Sequence, residues 1–462
     1  MPFRLRHRPA LVFSLVGALS GLGLVESCSR SAAEGPSVNL NASLPQPNPF
    51  PTRGFDIPRP RADQLPSLSP ALPKDLPPAA HGADEGAARE AADAFAWQTF
   101  LSLNWPVRPD GSPDERKPPG QGGDNHTLWE TWPEAAQVFL PEGSPRPVWG
   151  AFAPPPLPAA FSPLPPGARV MTRAGKDLSG HAPHAWQGPL VDQNGRHIRT
   201  EIRFNRPVFD TLLAQGLLDR RGQALAGPVR FPDGSPDDDS LQPGAIRVQA
   251  AWKILSPAEA AAGRFHSVQA FLHTPPAGDP TGAGSLEPAT VGLVGLHIAR
   301  KTPSAPGWVW FTFEHVDNCP TVGEPADRAA YNFFDKTKPG LLANQAPPPP
   351  WNPALVEPAH RRSQIIRQTP LPLSTRMTNA AYQAALRSID PTSVWQYYEL
   401  VGTEYRPAAD SARPLPARVA NTTLETYLAA QSTGPSCIAC HAKAESTASA
   451  PADSSFLLRL AR

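Results

Sequence analysis

The sequence predicts an α+β fold with a central, largely antiparallel β-sheet flanked by short helices. Its middle third carries short runs of β-branched and aromatic residues separated by Pro, Gly and Asp, while the stretches on either side return to helical spacing. The chain holds 61 prolines in 462 residues, about 13 per cent against a usual ~5 per cent, which excludes a long helical bundle or coiled coil. Eleven Trp and 19 Phe, with 40% hydrophobic residues, supply enough apolar surface for a core.

The first ordered element is expected at Asp84, where ADEGAAREAADAFAWQTFLSLNW puts acidic residues in a first turn and Phe95, Phe100 and Leu103 later; this helix ends before Pro106. A second helix is expected within HTLWETWPEAAQVFL, where Pro133 either starts or breaks it and Trp129 and Trp132 share a face. Strands follow at 196–204, 245–255, 264–273, 289–300 and 308–316, with a helix over PVFDTLLAQGLLD between the first two, Pro207 lying near its start. Beyond Pro320 short helices are expected again, at TNAAYQAALRSI, SVWQYYELV and NTTLETYLAAQ. No internal repeat is present.

Lys and Arg (42) almost cancel Asp and Glu (41), so no net field is available to hold a polyanion, and nucleic-acid binding is not expected. The N-terminus reads as a secretory signal over residues 1–27: Arg4, Arg6, His7 and Arg8 precede an uncharged run from Leu11 to Val25. That run falls short of the ~20 residues a bilayer span needs. Val25-Glu26-Ser27-Cys28 then resembles a bacterial lipobox, with Glu26 departing from the usual small residue. Cys28 is the expected lipidation site and possible membrane attachment, and ordinary cleavage nearby is the rival. Residues 28–83 read as a Pro-rich linker and 84–462 as the α+β body.

Cys437-Ile438-Ala439-Cys440-His441 is CxxCH, the attachment signature of a c-type haem. Two thiols one helical turn apart can each add to one vinyl group, and the adjacent His441 coordinates the iron from the proximal side. The expectation is one covalent haem c held by a C-terminal helical segment. Structural zinc would need further ligands, and no second Cys pair exists; a redox disulfide across Cys437 and Cys440 lacks a thioredoxin-like context. Export agrees with haem attachment, which in c-type cytochromes belongs to the periplasmic side of the membrane.

Further segments, WQTFLSLNWP (97–106), LWETW (128–132), VGLVGLHIARKTPSAPGWVWFTFEHVDN (291–318), WQYYELVGTEY (395–405), ANTTLETYL (420–428) and SCIACH (436–441), are similar to a group of bacterial proteins known only as cytochrome c family. The resemblance covers nearly the whole body. It implies an exported protein with one covalent haem and implies no substrate.

Only 21 residues follow His441, without Met or His, so a sixth iron ligand is expected from upstream. The candidates are Met377, His297 and His315. Alternation places His315 with Val309, Phe311 and Phe313, and His297 with Val291, Leu293 and Gly295, so the two histidines are expected together beside an apolar pocket if their strands are neighbours. Either is a distal ligand or proton donor, or else a half-buried histidine on a backbone hydrogen bond. Glu314, Asp317 and Asn318 with His315 suit metal or acid–base chemistry, or simply a polar strand end. Trp395, Tyr397 and Tyr398 line a haem edge or make core. Cys319 is a buried thiol or pairs with Cys28. The leading expectation is a periplasmic single-electron carrier whose redox partner protein the sequence leaves open. The alternative is a haem enzyme of peroxidase or oxygenase type, or a gas-binding sensor, with an open iron site; a large body ahead of the motif favours that alternative.

Overall fold

A computed structural model describes residues 60–461 apart from 83, 121–125, 156, 162–163, 166, 173–188, 236–242, 277–282, 339–340, 347–361, 407–418 and 428–435. The signal peptide, Cys28 and the first part of the linker lie outside the described residues. In chain order the elements are α1 (Glu85–Leu103), β1 (Val170–Met171), β2 (Arg199–Phe204), α2 (Arg206–Ala214), α3 (Arg220–Leu225), β3 (Ile246–Ile254), α4 (Pro257–Ala261), β4 (Ser267–Thr274), β5 (Ser285–Thr302), β6 (Ala305–His315), α5 (Leu373–Ile389), β7 (Tyr398–Glu404) and α6 (Cys437–His441).

Among the described residues the strands form one seven-stranded mixed sheet, so the α+β expectation holds. All pairings are antiparallel except β1 with β4. The long β5 organises it: β3 runs along 291–300, β4 along 285–292 and β6 along 295–302, and β7 adds outside β6.

One face carries the larger core. Asp84 caps α1 by accepting from the amides of Gly86 and Ala87. Its residues Phe95, Trp97, Phe100 and Leu103 are then buried against Leu296, Ile298, Phe311 and Phe313 of the sheet and against α5. Trp97 stacks on Tyr382 with ring centroids 5.2 Å apart and donates to Asn379 Oδ1 at 2.8 Å. Truncating an aromatic ring in such a site costs about 3–5 kcal/mol. Part of the segment expected as linker packs here too: Leu76 and Ala80 are buried in this core, and Asp75 accepts from the Ser304 hydroxyl at 2.7 Å.

The opposite face carries two further clusters. One gathers α2, Trp308, Trp310 and the C-terminal residues Ile438, Leu457 and Leu458; the other gathers Val294, Phe265, Cys319, Phe333 and Leu424.

Three helical expectations are corrected. LWETWPEAAQ forms single turns at Leu128–Thr131 and Ala135–Gln137, because Pro133 keeps Trp132 extended between them. In SVWQYYELV only Val394–Tyr397 is a turn, and Tyr398–Glu404 is the strand β7: its backbone pairs with the edge of β6, which outweighs the helical spacing of its aromatics. Of NTTLETYLAAQ, residues 421–427 are turns rather than helix, and the remainder lies outside the described residues.

Candidate functional site

Four strands build a floor for α6. Arg247 of β3 pairs with Ala299 of β5, Ala299 with Trp310 of β6, and Trp310 with Glu404 of β7, so these four side chains form one row on the face opposite α1. The one-turn helix lies on this row. Ser436 caps it, accepting from the amide of Ala439 at 3.0 Å. Beneath it the fully buried Glu404 carboxylate accepts from the Cys437 amide at 2.7 Å, the Ile438 amide at 3.3 Å and the Ser436 hydroxyl. Burial raises the Glu404 carboxyl above its ordinary value, and the three donors oppose that rise.

Cys437 is half-buried and Cys440 exposed, and both are thiols rather than a disulfide. The His441 ring lies 4.1 Å from the Trp310 ring and 5.0 Å from that of Phe456. Its Nδ1 is 3.0 Å from the carbonyl oxygen of Ser454. A carbonyl only accepts, so Nδ1 carries a proton, an orientation in which Nε2 is the nitrogen that would take a metal.

The Ser454 carbonyl is itself held in place. Asp453 and Ser454 both have left-handed backbones, with φ of 47° and 56°. Asp453 anchors the turn by accepting from the Phe231 amide at 2.8 Å and from Lys301 at 2.7 Å, while its own carbonyl accepts from the Trp308 indole at 2.6 Å.

At the far end of the row Arg247 is buried over Trp308 and Trp310, 4.5 and 5.4 Å from the ring centroids. Its Nε and Nη2 have no hydrogen-bond partner, and burial pulls its pKa down to about 10. Two thiols one turn apart, a histidine with Nδ1 protonated and an orphaned buried cation fit a group with two vinyls, a metal and carboxylates, which is the inventory of a haem.

The three candidate sixth ligands are not brought together. His297 pairs with Thr312, next to the Ala299–Trp310 pair, and so shares the α6 face; its Nε2 meets the Glu425 carboxylate at 2.8 Å. His315 lies at the end of β6. It stacks on Phe265 with centroids 4.2 Å apart, its Nε2 donates to the Arg264 carbonyl at 3.1 Å, and burial pulls its pKa down to about 4. The expected meeting of the two histidines therefore fails, because His297 pairs with Thr312 and Glu425 while His315, three residues beyond Thr312, packs on Phe265 and Tyr398. His297 also parts from Val291 and Leu293, since the register slips at Val294 and turns those two into the larger core beside Trp252. Met377 is half exposed on α5, which packs on α1.

The other candidates are engaged elsewhere. Glu314 accepts from the Thr422 amide at 2.6 Å and from Arg367 at 3.2 Å; Asp317 accepts from Arg264 at 2.6 Å; the Asn318 side chain donates to the Val294 carbonyl at 2.7 Å. No cluster of three or more His, Cys, Asp or Glu suited to a metal ion occurs among the described residues. Trp395 and Tyr398 are buried in the α1 core, away from the face that carries α6. Cys319 is buried, and burial raises its thiol to about 12.

Sequence reasoning missed Glu404, Trp310, Arg247 and Ser454. Each is distant in sequence from the motif or faces it only through strand register, so no local spacing marks it. No family model matches the chain, and no curated protein or solved structure does.

Proposed function

We propose that this chain is an exported c-type cytochrome-like protein that carries one covalent haem and passes single electrons. The observation that carries the reading is α6: thiols at Cys437 and Cys440 one turn apart, beside a His441 whose Nδ1 proton is committed to the Ser454 carbonyl. When bound, a haem c supplies a one-electron Fe(II)/Fe(III) couple. Cys437 and Cys440 would hold it as thioethers, and His441 would coordinate its iron through Nε2. The Asp453–Ser454 turn fixes the imidazole orientation, and Glu404 fixes the start of the helix. Trp310 and Phe456 pack on the imidazole ring and restrict its orientation. The resemblance of the body to bacterial proteins of the cytochrome c family points the same way. The basic and apolar N-terminus supports export, with lipidation at Cys28 as the means of attachment to the periplasmic face of a membrane.

The test is the optical spectrum of the full chain matured in a periplasm with haem-attachment machinery, oxidised and dithionite-reduced, with and without carbon monoxide. A reduced α-band unchanged by carbon monoxide is expected for a six-coordinate electron carrier. A shift with carbon monoxide moves the assignment to an open-site enzyme or gas sensor, and absence of covalent haem refutes the proposal.

A further inference from the structure

Three cross-strand rows follow one another along β5 on the face that carries α6: Lys301 with Trp308, Ala299 with Trp310, and His297 with Thr312. Rows on one face of a sheet stand about 7 Å apart. His441 lies over the middle row, its ring 4.1 Å from that of Trp310. Its Nδ1 meets the Ser454 carbonyl. The turn presenting that carbonyl is tied to the first row, because Asp453 accepts from Lys301 at 2.7 Å and from the Trp308 indole at 2.6 Å. The two nitrogens of an imidazole project to opposite sides of the ring, so Nε2 is turned away from the first row and toward the third, the row of His297.

His297 is held there in a complementary way. Its Nε2 lies 2.8 and 2.9 Å from the two oxygens of Glu425. A carboxylate only accepts, so Nε2 carries a proton, and Nδ1 is the nitrogen that would take a metal. The carboxylate is fixed in turn: Glu425 accepts from the Asn421 amide at 3.0 Å, and the Asn421 side chain donates at 2.7 Å to the hydroxyl of Thr312, the residue paired with His297. The β5 residue on the α6 side of His297 is Ala299, which adds only a methyl group to the face. The side chains of His297 and Glu425 are 14% and 10% exposed, so the pair is not sealed inside the core.

We propose that His297 is the second axial ligand of the haem iron, bound through Nδ1, with Glu425 as its positioning residue. The inference rests on the haem reading of Cys437, Cys440 and His441 and names the sixth ligand that reading leaves open. A carboxylate on the far nitrogen strengthens an imidazole as a donor, which favours Fe(III) and lowers the midpoint potential.

The test uses the full chain matured with haem-attachment machinery, with covalent haem checked first by the mass of the intact chain. The ferric parent is expected to show the electron paramagnetic resonance of low-spin iron with two imidazoles, and the ferrous parent to ignore carbon monoxide. In His297→Ala, carbon monoxide is expected to shift the α-band at a concentration at least about tenfold below any that affects the parent, and added imidazole to restore the parent spectrum. Glu425→Gln keeps the shape of the side chain; it is expected to leave the iron six-coordinate and to raise the midpoint potential, a shift that a merely structural contact does not produce. A parent chain without the mass of a haem refutes the haem reading and this inference with it. A haem-bearing parent that is high-spin or binds carbon monoxide, or a His297→Ala spectrum identical to the parent's, overturns the His297 assignment alone. An unchanged potential in Glu425→Gln overturns the role given to Glu425.

Discussion

Replacing Glu404 with Ala removes the acceptor beneath α6 and leaves three donors, the Ser436 hydroxyl and the Cys437 and Ile438 amides, without their partner. A hydrogen bond to a charged acceptor contributes about 1.5–3 kcal/mol. Burial of the carboxylate, visible in its raised pKa, offsets part of each. Taking about 1 kcal/mol net per bond gives a local loss of about 3 kcal/mol. That corresponds to roughly a hundredfold faster hydrogen exchange at the Cys437 and Ile438 amides. The assay is exchange read by mass spectrometry on peptides spanning 436–445, in Glu404→Ala and in the parent chain. A peptide from α1, such as 90–100, serves as the internal control and is expected to stay unchanged. Less than about a threefold change at α6, or an equal change at α1, refutes the view that Glu404 specifically holds this helix.

Asp93→Asn is expected to stabilise the protein at pH 7 by up to about 3 kcal/mol, from a carboxyl moved from 3.8 to about 6 by burial. A raised carboxyl penalises the fold fully above pH 6 and not below about 4, so the gain measured in urea unfolding shrinks to nothing as pH falls through that window. Arg247→Leu is expected to stabilise the haem-free chain, by up to about 3 kcal/mol, because it replaces a desolvated cation whose pKa burial has drawn from 12.5 to about 10. In the haem-loaded chain that gain is expected to vanish and the midpoint potential to fall, which redox titration and thermal unfolding of the two forms will decide. Met377→Leu is expected to leave the haem spectrum unchanged, since its side chain sits half exposed on a helix that packs away from α6. A lost or shifted α-band in that variant overturns this placement.

Elements set by local chemistry were legible in the residues. Asp84 ahead of an Ala- and Phe-rich run produced α1, and alternation marked the five strands β2 to β6. Two cysteines one helical turn apart marked a helical segment, and the structure has the single turn Cys437–His441 there. These features depend on capping, backbone preference and side-chain spacing within a few residues, which is information the chain carries at every point. The strand β7 was not legible, because YELVGTE becomes a strand only by completing the hydrogen bonds of β6, a partner about ninety residues earlier. Nor was the slip at Val294, which reverses the face on which His297 lies relative to Leu293. A single extra residue in one strand exchanges core and opposite face for everything beyond it, and nothing in the local sequence counts that residue. The sequence alone thus determined the CxxCH spacing and the local elements. The tertiary structure decided what surrounds it, because Arg247, Ala299, Trp310 and Glu404 become neighbours only when four strands settle into one register.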